Sequence, residues 1–248
     1  MLRRLLWIAL ATLAIGAVTA LIFLIRSGDP GASNWPINFE LRSSDNGVLF
    51  QFAQDVFGAR PLDWSFSPQV FVFPEIPISL VAYLLAGGTI QAYYLVVAIL
   101  NGALLFLALV AVIRYLYPGE SLLRRLARAA IAMLPLLLLP LLGTTWLFEY
   151  QFAPTYYFGM YLMILLAPVV FLARARPMRI AVGVGMALTA ASNPLALVFT
   201  VPALACVLIV RGAAGGFRTV LRPAVWATGV LALALLIRVI FLDRKSVV

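Results

Sequence analysis

The chain has 248 residues, 64% of them hydrophobic, with 18 basic and 9 acidic residues, no histidine and one cysteine. Its mean hydropathy is +1.06, which excludes an ordinary soluble domain and points to a polytopic membrane protein. Without histidine the commonest general base and metal ligand is missing, and a lone Cys206 rules out a disulfide framework or a cysteine metal site within the chain.

Leu5 to Ile25 is an uncharged run of twenty-one residues, long enough to cross a hydrocarbon core of about 30 Å. Arg3 and Arg4 precede it, and cytoplasmic segments of membrane proteins carry the Lys/Arg excess, so the N-terminus is expected inside. Val18-Thr19-Ala20 has the small residues of a cleavage site, but the apolar run continues to Ile25, which favours a signal anchor over a cleaved leader.

Residues 26–88 form the first outer loop, rich in turn formers at its start (Gly28, Pro30, Gly31, Pro36). Within it, 46–57 reads as an amphipathic helix: Val48, Leu49, Phe52, Ala53 and Val56 share a face, with Gln51, Gln54 and Asp55 opposite. Such a helix lies along the membrane surface. Pro77 to Ala86 is a second apolar helix, too short to span and placed at the same interface.

Thr89 to Ile113 is the second span, ending inside at Arg114, and the loop 115–128 adds Arg124, Arg125 and Arg128. A third span covers 129–146 and contains Pro135 and Pro140, which a membrane helix tolerates when neighbours satisfy the freed carbonyls. A small outer loop, 147–155, carries Glu149, and Tyr156 to Ala173 returns to the cluster Arg174, Arg176, Arg179. The run Ile180 to Val210 lies between that cluster and Arg211, Arg218, Arg222, so it must cross an even number of times. Ser192-Asn193-Pro194 reads as the outer turn of a hairpin of two short helices. Pro223 to Leu242 is the last span.

The expectation is an all-α polytopic protein: seven spans forming a single transmembrane domain over 1–242, multi-pass in a bacterial inner or plasma membrane. The basic balance of +9 is absorbed by the inner loops, each basic residue gaining about 1 kcal/mol near anionic lipid; membrane lipid is therefore the expected partner, and nucleic acid is not. Gly183, Ala187 and Ala191 read as a helix-packing face, and Asn101 and Asn193 as interhelical hydrogen-bond donors. Trp146, Tyr150, Tyr156 and Tyr157 fit an aromatic belt. The last six residues, 243–248, hold the only lysine, Lys245, and resemble one frame of a sequencing adapter. They are expected to be a non-native tail on a frame that continues past Leu242; the alternative is an ordinary short basic tail.

Seven of the nine acidic residues fall in outer connections: Asp29, Glu40, Asp45, Asp55, Asp63, Glu75 and Glu149. The string that bears on chemistry is Ser44-Asp45-Asn46, the amphipathic helix, then Phe73-Pro74-Glu75-Ile76-Pro77 leading into the second short helix. This order resembles the GT-C glycosyltransferases, membrane enzymes that take sugars from polyprenyl-phosphate carriers. The resemblance covers nearly the whole chain as architecture and little of it as motif. It places Asp45 on the family's catalytic aspartate, and Phe73 to Pro77 on the aromatic-proline lead-in to the second interfacial helix. Many members have an acidic pair where this chain has Asp45-Asn46.

The resemblance implies that a polyprenyl-phosphate-linked sugar donor is used at the outer face. Asp45 would be the general base that takes the acceptor's hydroxyl proton. Glu149 with a divalent cation (Mg or Mn), or Arg238, would neutralise the departing phosphate, and Glu75 would line the cavity. Each has a plainer reading. Asp45 suits the N-cap of the 46–57 helix, Glu75 a loop charge, and Arg238 a snorkelling interfacial residue. Two other functions fit the composition: a transporter or flippase of a lipid-linked or small solute, and a non-catalytic membrane subunit whose outer loop docks a protein partner.

Overall fold

A computed structural model describes residues 2–27, 44–61, 73–142, 152, 157–173 and 175–242. Among these residues every regular element is helical and there is no strand. Among the described residues three helical stretches are long and apolar enough to cross a membrane: Leu2–Ile25, Ile90–Leu116 and Pro223–Ile240. Large apolar side chains also stay on the surface, Leu13 at 70% and Val225 at 66% exposure among them, as expected where the solvent is lipid. By length and composition this is a membrane protein.

The chain divides into two compact units, the first formed by residues 1–65 and 75–158 and the second by 66–74 and 159–248. In the first unit α1 (Leu2–Ser27) packs along α4 (Ile90–Leu116), α5 (Leu122–Leu138) packs on both, and α2 (Ser44–Phe57) and α3 (Glu75–Leu85) form a layer against α4. Close approach of α1 and α4 is made by glycines. A Cβ on Gly102 would lie 2.5 Å from Thr19 Oγ1, and one on Gly16 3.2 Å from Ile99. Small residues let membrane helices approach this closely. Gly87 and Gly88, with φ of +61° and +80°, make the turn from α3 into α4, a backbone path open to glycine and strained for other residues.

Ser121 caps α5, its side chain accepting from the Arg124 N–H at 3.5 Å. Beside it Arg128 pairs with Glu120 at 2.7 Å and lies 4.5 Å over the Tyr117 ring, and the Glu120 carboxylate raises the Arg128 pKa. The third expected span departs from a continuous α-helix. Pro135 has no N–H to donate, α5 ends at Leu138, and Leu139–Leu142 tightens to a 3-10 turn around Pro140. Residues 143–146 lie outside the described part.

The second unit holds α6 (Phe158–Leu172) from Gly159 onward, α7 (Arg176–Ser192), α8 (Pro194–Gly215) and α9 (Phe217–Ile237), followed by a π turn, Arg238–Leu242. The expected hairpin turn is where the chain breaks. Asn193 separates α7 from α8, and its side-chain oxygen accepts from the Leu195 N–H at 3.0 Å. That makes it a helix cap. The last expected span matches a stretch apolar enough to cross a membrane, Pro223–Ile240, carried on a longer helix: α8 continues to Gly215, taking in Arg211, and α9 begins at Phe217. Gly216, with φ +73°, supplies the break, and Pro223 sits inside α9.

Helices α7 and α9 run parallel. Arg179 lies over Trp226, Gly183 meets Val230, and Arg238 donates to the Ala191 carbonyl; the offset is 47 residues in each pair, as between Ala191 and Arg238. The small face Gly183, Ala187, Ala191 is the seam, with Ala187 and Ala191 buried.

Candidate functional site

The layer formed by α2 and α3 is the part of the fold that the sequence singled out for chemistry. It is held by a short polar chain in apolar surroundings. Ser79 on α3 is buried, and its hydroxyl donates to the Leu49 carbonyl of α2 at 2.8 Å. The same oxygen lies 2.8 Å from the Tyr93 hydroxyl on α4. A serine hydroxyl carries one proton; since Ser79 gives it to Leu49, Tyr93 must be the donor in the second bond. Three helices are thus tied by Tyr93 O–H to Ser79 to Leu49 C=O.

Aromatic rings surround this chain. Phe50 of α2 meets Tyr93 edge-on at 5.1 Å and Tyr83 of α3 at 5.6 Å, and Phe57 stacks on Tyr83 at 5.6 Å. Offset and edge-on pairs of this kind add about 0.5–1.5 kcal/mol each beyond their buried area. The amphipathic reading of α2 holds on its inner face, where Leu49, Phe50 and Ala53 are buried. On its outer side Asp55 pairs with exposed Arg60 at 3.4 Å.

Glu75 is the first residue of α3 and is buried, at 7% exposure. A carboxylate in the first turn faces the positive end of the helix dipole, which is worth about 0.3–1 kcal/mol at exposed sites and more when partly buried. The structure therefore brings Glu75 into the packed layer, one turn before Ser79, and sets it apart from the solvated loop charge that sequence alone allowed.

Asp45 is the second residue of α2. The helix starts two positions earlier than the sequence suggested, so Asp45 sits within the first turn instead of capping it; its side chain is outside the described part. Glu149 also lies outside the described residues. Among those described, no three His, Cys, Asp or Glu side chains converge as a metal site would require. Among the described residues Glu75 is a buried carboxylate in this layer.

Arg238 belongs to the second unit and opens the π turn that follows α9. Its Nη1 donates to the Ala191 carbonyl, in the last turn of α7, at 3.3 Å. A cation at a helix C-terminus is favourable for the same dipole reason.

No protein-family model, curated protein or solved structure matches this chain.

Ser79 and Tyr93 were not singled out by the sequence. The signal was faint: one serine in the mainly apolar stretch that follows Glu75 in α3, and a Tyr93-Tyr94 pair at the start of a span. A lone polar residue at a buried helix position needs a partner, but its position in the fold decides which.

Proposed function

We propose that the chain is the membrane module of a GT-C-like glycosyltransferase, moving a sugar from a polyprenyl-phosphate carrier to an acceptor hydroxyl at the outer face. The observation that carries this reading is the element order. A first span (α1) is followed by two short helices (α2 and α3) bound to each other and to the start of a second span (α4) that carries Arg114 in its last turn. In this reading residues 26–88 lie outside, the arginine clusters lie inside, and the chain crosses seven times with its N-terminus cytoplasmic.

Asp45, in the first turn of α2, acts as general base. Its carboxylate takes the acceptor's hydroxyl proton while that oxygen bonds to the sugar's anomeric carbon. The bond from that carbon to the phosphate oxygen breaks, and polyprenyl phosphate leaves with the electron pair. The Ser79–Tyr93 tie holds α2 at a fixed depth on α4, so the base is presented from a packed layer.

The test is transfer from a labelled polyprenyl-phosphate sugar by the protein in lipid vesicles. Asp45→Asn is expected to lower the rate by about 100-fold or more, the contribution of a positioned general base, while insertion and thermal stability stay unchanged. Full activity in that variant sinks the assignment. Sidedness is tested separately with Cys206→Ser as background: a cysteine at position 47 should react with a membrane-impermeant reagent in intact cells, and one at 119 should not.

A further inference from the structure

Between α7 and α9 lies a groove of about 440 Å³, lined by Ile180, Gly183 and Val184 on one side and Trp226, Gly229 and Leu233 on the other. Its depth comes from missing side chains: a Cβ on Gly229 would meet nothing within 4 Å. At about 30 Å³ per methylene, close to the share of one water in the liquid, the space holds roughly fifteen carbons. That is the size of one acyl chain. The α9 wall belongs to a stretch long and apolar enough to cross a membrane, so hydrocarbon is the solvent available to fill it.

One end of the groove is cationic. The Arg179 guanidinium lies 5.5 Å over the Trp226 ring, and its Nε and Nη2 donate to the Ala173 carbonyl. Its Nη1 has no protein partner among the described residues. Stacking on Trp226 and the bonds to Ala173 fix the planar fork, so little freedom is lost when it takes a further anion. Arg176 is exposed and three positions earlier on α7, which puts both arginines on one side of the helix. Apolar walls with a paired guanidinium end match a phosphodiester carrying an acyl chain, and they mismatch a free phosphate, which would leave the groove empty.

We propose that this groove is a binding site for one anionic phospholipid, its acyl chain lying over Gly229 and its phosphate held at Arg179 and Arg176. The inference rests on the membrane placement of the second unit and is independent of sugar transfer.

The experiment is to purify the full chain in mild detergent, extract and quantify the retained lipid by mass spectrometry, and compare thermal midpoints in nanodiscs of phosphatidylglycerol and of phosphatidylcholine. The wild type is expected to retain one anionic phospholipid per chain and to be more stable in phosphatidylglycerol. Gly229→Leu should retain roughly tenfold less, since displacing about two methylenes already accounts for that factor. Its midpoint in lipid-free detergent should not fall, because the new side chain meets open space and leucine favours helix over glycine. Arg176→Gln, which removes charge without touching the Arg179–Ala173 bonds, should narrow the preference for phosphatidylglycerol. Unchanged lipid retention in Gly229→Leu overturns the proposal. So does retention of zwitterionic lipid or of a polyprenyl carrier instead, or a dimer that Gly229→Leu converts to monomer, which would give the groove to a second copy of the chain.

Discussion

Removing the Ser79 hydroxyl should cost more than removing the Tyr93 hydroxyl, although each breaks the same 2.8 Å contact. The reason is the direction of the protons. In Ser79→Ala the Tyr93 O–H loses its acceptor, and Tyr93 is fully buried. A stranded buried donor costs about 1–3 kcal/mol, and the lost bond to Leu49 adds about 0.5–1.5 kcal/mol. Leu49 itself keeps its place within continuous α2, so its carbonyl is not orphaned. In Tyr93→Phe, by contrast, Ser79 still donates to Leu49 and nothing buried is left unpaired, so about 0.5–1.5 kcal/mol is expected. The double variant strands neither group. It should therefore be less destabilised than Ser79→Ala alone, a coupling of roughly 1–2 kcal/mol in the sense opposite to additivity. Equilibrium unfolding in mixed detergent micelles, with the slope checked for constancy across variants, measures all four corners. If Tyr93→Phe costs as much as Ser79→Ala, or the double variant is strictly additive, the proton order drawn here is wrong.

Two glycine-to-alanine changes should have opposite signs. Gly102→Ala puts a Cβ 2.5 Å from Thr19 Oγ1, on a side chain that is buried and bonded to the Ile15 carbonyl. Overpacking of about 1–3 kcal/mol should outweigh the gain in helix propensity, whereas Gly229→Ala, which meets nothing within 4 Å, should stabilise by up to about 1 kcal/mol; thermal midpoints of both decide it. Asn193→Ala removes the α8 cap and should cost about 1 kcal/mol, visible as faster amide exchange in the first turn of α8. Arg238→Gln loses the bond to Ala191 and should lower the thermal midpoint while leaving KM for the lipid-linked donor unchanged. A raised KM with no loss of stability would return Arg238 to phosphate binding.

Most helix boundaries were readable because local chemistry sets them. The α7–α8 break lies at Asn193 because an asparagine cap followed by a proline at the first helical position both ends one helix and starts the next. The last span was legible from its apolar run, which starts at Pro223, but the start of the helix that carries it was not. Helix formation begins wherever the preceding helix is stopped, and Gly216 with φ +73° stops it seven residues before Pro223. Nothing in the pattern of apolar residues distinguishes a proline that opens a helix from one accommodated within its second turn.

Tertiary partners follow a different logic. Gly183, Ala187 and Ala191 are visible as a packing face because small residues four apart share one side of a helix. Their partners on α9 are Val230 and Arg238, which share no such property. Only the constant offset of 47 residues reveals them, and an offset is a property of two helices together. Ser79 and Tyr93 illustrate the same limit at the candidate site. They lie fourteen residues apart across a turn whose path depends on two glycines with positive φ. A sequence can show that a buried hydroxyl will need a partner. Which hydroxyl meets it is decided by where that turn delivers α4, and so the tie that positions Asp45's helix emerges only once the backbone is in place.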